Sequence, residues 1–187
     1  MSVSCRLADG ATRLAITRGK KLVSRLFSLR QAPLITLDEP TKHNREAMKL
    51  LNATCLPVRY GQKFYDDAVR HPELNRLAYY NDILTGSICC RYEKTDKGMS
   101  IYIMSVVVLA PYRRLGIASR LLEHVMSVAE TGKTKVSQVY LHAWVENEDA
   151  LEFYKKHGFS EGERLPNYYK KLTPQDGVIL YKNVTSK

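Results

Sequence analysis

Residues 101–122 read IYIMSVVVLAPYRRLGIASRLL: a β-branched apolar run that stops at Pro111 and passes into Arg113-Arg114-Leu115-Gly116-Ile117-Ala118. Ile101–Leu109 has the length and side-chain types of a buried central strand. Beyond Pro111 the period changes. Ile117, Leu121, Leu122, Val125, Val128 and Ala129 recur at helical spacing, with Glu123, His124 and Glu130 falling elsewhere and Gly132 as a stop. A strand that feeds a small-residue turn at a helix N-terminus is a ready anion site, because the first N–H groups of the helix lack partners and the helix dipole is positive there. Gly116 and Ala118 let a phosphate approach the main chain, and Arg113 and Arg114 add charge. The turn is neither the dinucleotide G-x-G-x-x-G nor a P-loop with its Gly-Lys-Ser/Thr ending. On its own it also reads as an ordinary loop with a solvated arginine pair.

Working outward, the chain alternates strands and helices. Leu34–Leu37 predicts a short strand, and Thr41 an N-cap for a helix to about Asn52. Pro57 breaks the chain, and Phe64–Val69 predicts a second short helix. Leu77–Tyr80, the Asn81-Asp82 turn and Ile83–Tyr92 predict a hairpin with a bulge at Gly86. Glu93–Gly98 reads as a charged loop. Val139–Ala143 predicts a strand, Asn147–His157 a helix, Phe159 the start of a strand and Val178–Tyr181 the last one. The fold class is therefore α/β.

Residues 1–33 stand apart from this pattern. They carry seven basic side chains against one acid, Asp9, a net +6 out of +10 for the whole chain. The segment reads as a basic N-terminal extension, disordered or addressing the chain to an organelle, and residues 34–187 read as one domain. Contact with an RNA-rich surface is a third reading of the same charge. A DNA-binding role is disfavoured, since no helix-turn-helix or zinc pattern accompanies the charge. No apolar run approaches the roughly 20 residues that span a bilayer. The four cysteines, Cys5, Cys55, Cys89 and Cys90, show no C-x-x-C spacing, which predicts a reduced intracellular protein without a metal. In a strand, Cys89 and Cys90 would face opposite sides.

R-R-x-G-x-A at a helix N-terminus resembles the acetyl-CoA pyrophosphate loop of the GNAT acetyltransferase superfamily. Asn147, Ala150 and Phe153-Tyr154-x-x-x-Gly158-Phe159 resemble the second block of that family. Leu56-Pro57-Val58-Arg59-Tyr60, Leu77–Asp82, Tyr102-Ile103-Met104, Leu109–Ile117, Tyr140-Leu141-His142 and Asn167-Tyr168-Tyr169 resemble its San-type branch, the catalytic subunit of the NatE N-terminal acetyltransferase. The resemblance runs from about residue 34 to the end. It implies a GNAT fold: a mixed, mainly antiparallel sheet with helices on both faces, splayed where acetyl-CoA enters. It implies acetyl transfer from acetyl-CoA to protein N-termini, with initiator Met followed by an apolar residue preferred. Some members also acetylate lysine, so lysine acetylation is the alternative. The resemblance further implies nascent chains in the cytoplasm, near a NatA-type complex and the ribosome, and no metal.

Carried over by position, Leu56, Pro57, Val58, Tyr60 and Met104 would shape the pocket for the first acceptor residues, and Tyr168 and Tyr169 would close over the peptide. Tyr102 and His142 would hold a water that takes a proton from the α-ammonium. Main-chain groups at Val106 and Val108 would bind the acetyl and pantetheine portions. Arg113, Arg114, Leu115, Gly116, Ile117, Ala118 and Ser119 would hold the pyrophosphate, with Asn147 beside them. Tyr154 would meet the leaving sulfur. A weak base through one water suffices, because an α-amino group has a reference pKa near 7.7–8.0 and histidine one near 6.5. Without the resemblance, Tyr102 and His142 read as strand packing and Tyr154 as helix core.

The sequence departs from that branch at Val107, where a glycine is usual, and at Ala143-Trp144, where Val-Gln is common. Leu56 replaces a typical Phe, Arg59 a small residue and Ala118 a frequent Gly. These departures leave open a weakened enzyme or a non-catalytic subunit.

Overall fold

The structure, a computed structural model, describes residues 34–184. The reading of residues 1–33 as a basic extension lies outside the described residues. Seven strands form one sheet in the order β1-β2-β3-β4-β5-β7-β6. They are β1 (Ile35–Asp38), β2 (Arg76–Tyr80), β3 (Ile83–Thr95), β4 (Gly98–Val108), β5 (Gln138–Trp144), β6 (Ser160–Leu165) and β7 (Gly177–Asn183). Among the described residues four α-helices accompany them: α1 (Arg45–Cys55), α2 (Gln62–Arg70), α3 (Ile117–Thr131) and α4 (Glu148–Lys156). The pair β4–β5 is parallel and the other pairings are antiparallel. The mixed, mainly antiparallel sheet agrees with the expectation.

Strand alternation sorts the core into two layers. Ala78, Ile88, Cys90, Ile101, Ile103, Val139 and Leu141 lie under Ile117, Leu121, Leu122 and Val125 of α3 and Tyr154 of α4. On the opposite face, Leu77 and Cys89 meet Met48 of α1 and Tyr65 and Ala68 of α2. Cys89 and Cys90 thus face opposite sides as free, buried thiols. Each fully buried Leu or Ile contributes about 1.5–3 kcal/mol relative to exposure, so these two layers carry most of the fold.

Four expectations about the elements need correction. Asn44, not Thr41, precedes α1; its Oδ1 accepts a 2.6 Å hydrogen bond from Thr41 N, which ties Thr41 into a turn ahead of the helix. The helix also runs to Cys55 rather than Asn52, and Leu56 is extended (φ −112°, ψ 139°), as suits a residue before proline. Glu93, Lys94 and Thr95 are not loop residues: they pair with Ser100, Met99 and Gly98 at the far end of the β3–β4 hairpin. The hairpin tip is solvated, so its strands are polar and carry no apolar alternation.

The Asn81-Asp82 turn forms as expected, with positive φ of 46° and 66°. The adjacent irregularity leaves Thr85 as the extra residue, between the pairs Ala78↔Gly86 and Tyr79↔Leu84. Gly86 serves close packing instead: a Cβ there would stand 3.0 Å from Val107 O and 3.1 Å from Ile117 Cγ2.

Two features open the sheet. On β4 the register slips between Cys89↔Ser105 and Cys90↔Ile103, leaving Met104 bulged. β4 and β5 pair only over Ser100–Tyr102 and Gln138–Tyr140, and beyond these residues the two strands part.

Candidate active site

A cleft of about 580 Å³ opens where β4 and β5 part. Val106, Val107 and Val108 form one wall, α4 residues Ala150, Phe153 and Tyr154 with Asn147 form the other, and the turn into α3 closes one end. Leu109 N donates to Thr85 O on β3 at 2.8 Å. By alternation the main chain of Val107 also faces β3, while that of Val106 and Val108 faces the open edge. Val108 O there accepts from Arg113 Nε at 3.2 Å.

At the turn, Arg114 and Gly116 take left-handed conformations, with φ of 63° and 82°. Arg120 N donates to Gly116 O at 3.0 Å, so the N–H groups of Ile117, Ala118 and Ser119 precede the first bond of α3. No atom stands within 4 Å of where a Gly116 Cβ would lie, which leaves room for an anion beside these donors. Arg114 is paired with Asp149 at 2.8 Å on the surface, so part of its charge is already matched. Leu115 is 43% exposed and is not part of the cleft wall. Asn147 caps α4, its Oδ1 accepting from Ala150 N at 3.2 Å, and also lines the cleft. Sequence reading missed His157: its Nδ1 donates to Phe153 O at 2.8 Å and its Nε2 is hydrogen-bonded to Ser119 Oγ at 3.1 Å, joining α4 to α3. No spacing pattern signals that contact. Tyr154 is buried at the cleft, and burial, with Cys90 nearby, pushes its phenol well above the usual value.

The second half of the site lies on the α1–α2 face. Ile101 and Ile103 point into the α3 layer, so Tyr102 between them points away; His142, between Leu141 and Ala143, does the same. The Tyr102 hydroxyl stands 3.0 Å from His142 Nδ1. Burial raises the Tyr102 phenol far above its ordinary value, and Tyr168 adds to the shift. Burial lowers the His142 imidazole below 6.5, partly opposed by Glu93. Both groups are therefore uncharged at neutral pH, and the phenol donates to Nδ1.

Aromatic residues enclose this pair. Tyr168 stacks on the His142 ring at 4.7 Å and 28°. The Tyr169 hydroxyl donates to His142 O at 3.2 Å, and burial pushes that phenol to about 12. From the other side, Tyr60 stacks on Phe64 at 3.9 Å and donates at 3.2 Å to the carbonyl of the bulged Met104. Leu56 reaches the cleft wall, whereas Pro57 and Val58 are exposed on the rim. Glu93 is a second residue that sequence reading missed, because it was assigned to a loop. Burial acts to raise its pKa, but hydrogen bonds from Tyr140 and Arg91 hold the carboxylate below its ordinary value. Val106 and Val108 pack against the α3 layer, so the Val107 side chain turns to the α1 face, where it is 3% exposed.

Comparison with known proteins follows the same outline. Residues 34–159 match the acetyltransferase (GNAT) family. The chain is 43% identical over 152 residues to N-alpha-acetyltransferase 50 of Danio rerio, covering 81% of this chain and 90% of that protein. It is 42% identical over 150 residues to the probable N-acetyltransferase san of Drosophila melanogaster, covering 80% and 81% respectively. The structure of Arabidopsis thaliana Naa50 in complex with the bisubstrate analogue CoA-Ac-MVNAL superposes with a TM-score of 0.72 at 44% identity, over 79% of this chain and 97% of that one.

Proposed function

The chain belongs to the acetyltransferase (GNAT) family, and from that premise we propose how its site takes up and deprotonates an acceptor. It is an acetyl-CoA-dependent N-α-acetyltransferase that acts on the N-terminal amino group of proteins. The cleft fits the co-substrate on its own geometry. Free N–H donors at the start of α3 suit a pyrophosphate, and the unpaired edge at Val106 and Val108 suits an extended amide chain.

When bound, acetyl-CoA supplies the activated acetyl group; the remaining work falls to the protein. The hydrogen bond between Tyr102 and His142 carries the reading. With its proton directed to Nδ1, the Tyr102 oxygen accepts from a water on the acceptor side. The α-ammonium proton passes through that water and the phenol to His142. The lowered pKa of His142 keeps it neutral and able to receive. Main-chain N–H groups at the edge of β4 face the charge that develops on the acetyl oxygen. Tyr154 donates a hydrogen bond to the departing sulfur. Its raised pKa lies above that of an alkyl thiol (about 8.5 for a cysteine side chain), so full proton transfer to the thiolate is uphill and hydrogen-bond donation is its role.

The acceptor is a protein starting with Met followed by an apolar residue. Leu56, Pro57, Val58, Tyr60 and Met104 offer an apolar pocket on one side, with Tyr168 and Tyr169 on the other. The analogue bound by the Arabidopsis relative begins Met-Val, which supports this choice. The place of action is the cytoplasm, on nascent chains beside a NatA-type complex and the ribosome, a reading supported by the chain's +10 charge. Organelle delivery through residues 1–33 is its rival. A panel of Met-Leu-, Met-Lys-, Ser- and Glu-starting peptides tests the acceptor. Met-Leu is expected to have the highest kcat/KM, by tenfold or more as an order of magnitude over Ser and Glu. A flat panel contradicts the pocket assignment.

A further inference from the structure

Trp144 ends β5 two residues beyond His142 and so shares its face of the sheet. Its indole N–H donates to Pro174 O at 2.7 Å. Pro174 lies in the segment between β6 and β7, residues 166–176, which also carries Tyr168 and Tyr169. That segment is clasped on itself: Tyr169 N donates to Gln175 O at 2.7 Å and Asn167 N to Asp176 Oδ1 at 3.1 Å. The end of β5 grips the clasp at two points, through Trp144 and through Val145 N, which donates to Asp176 O at 3.3 Å. The cross-strand partner of Trp144 is Gly177. Tyr168 packs onto Gly177 so closely that a Cβ there would stand 3.2 Å from Tyr168 Cβ. The two aromatic side chains that cover His142 are thus held by a segment whose return limb is pinned to Trp144.

We propose that Trp144 is a positioning residue for the acceptor: its indole–carbonyl bond sets the 166–176 segment so that Tyr168 and Tyr169 are already placed over the peptide site. A closure formed before binding spares the ordering cost that a loose segment would bring on engagement with the peptide. Among the described residues, none of 166–176 lines the cleft on the α3 side that suits acetyl-CoA. The inference rests on the reading of Tyr168 and Tyr169 as the acceptor's cover.

The test uses the full chain, with Met-Leu peptide and acetyl-CoA varied in turn. Trp144→Phe keeps a ring and removes the N–H. The expected result is a rise of about fivefold in peptide KM, the scale of one lost hydrogen bond, with kcat and acetyl-CoA KM within about twofold of wild type. Trp144 is also the only tryptophan in the chain, so wild-type fluorescence reports on it directly. Because the segment is set before binding, the emission is expected to be the same with CoA alone and with peptide and CoA together. An unchanged peptide KM, an equal rise for both substrates, or an emission that moves when peptide is added overturns the assignment while wild-type turnover leaves the acceptor reading standing. A wild type that turns over no N-terminal peptide removes the acceptor reading, and the proposal with it.

Discussion

A half-buried imidazole and a half-buried phenol share one hydrogen bond at the centre of the proposed acid–base chemistry. Burial lowers the His142 pKa below 6.5, so above about pH 6.5 the ring is neutral and ready. Burial raises the Tyr102 pKa, so no loss of its proton intrudes at ordinary pH. The ionisation left to govern kcat/KM near neutrality is the peptide's own amine, at about 7.7–8.0. The pH–rate profile is therefore expected to rise to a plateau above about pH 8 with no falling limb below pH 10; a bell centred near 7 contradicts these assignments. In the proposed relay Tyr102 and His142 act as one unit, so either Tyr102→Phe or His142→Ala is expected to lower kcat by about 10²–10³, and the double variant no further than the worse single. Losses that multiply indicate two independent roles. The placement of Tyr102 beside His142 and of Tyr154 at the cleft was legible in the sequence because their types fall in motifs of recognisable order. Glu93 and His157 were not, since their partners, Tyr140 and Ser119, lie 47 and 38 positions away.

The opened pair β4–β5 is the element that makes the cleft, and its main chain matters more there than its side chains. Val107 illustrates this. It places a side chain where the resembling branch usually has glycine, and alternation turns that side chain to the α1 face, under cover. Val107→Gly is expected to cost about 2 kcal/mol in denaturant unfolding, from lost packing and a freer unfolded chain, and to leave acetyl-CoA KM within about twofold. A gain of tenfold in acetyl-CoA affinity would show that the valine obstructs the cleft. The apolar part of β4, from Ile101 to Val108, and the helix after Gly116 were readable from their periods alone. The tip of the β3–β4 hairpin was not, because Glu93-Lys94-Thr95 pair in solvent, where no apolar alternation is required. The bulge at Met104 left no local mark either: it depends on how two strands register, which a single strand's sequence does not encode.

At the scale of the whole molecule, the sheet separates two tasks. The α3 side offers main-chain donors and room for a nucleotide thioester, and the α1–α2 side offers an aromatic enclosure around Tyr102 and His142. The splay lets the two substrates meet. Reading the two blocks 113–118 and 147–159 in order disclosed the fold and the donor, whereas the acceptor depends on how distant tyrosines converge. An α-amine and a lysine ε-amine differ by more than two pKa units, so a relay built on a weak neutral base favours the former. The direct test is one acetylation assay that sets a Met-Leu peptide with a free terminus beside the same peptide blocked at its terminus and carrying an internal lysine. Turnover of the free-terminus peptide alone, or by a margin of about a hundredfold, is the predicted result. Acetylation confined to the blocked peptide's lysine, or acetyl-CoA binding without turnover of either, would contradict the account.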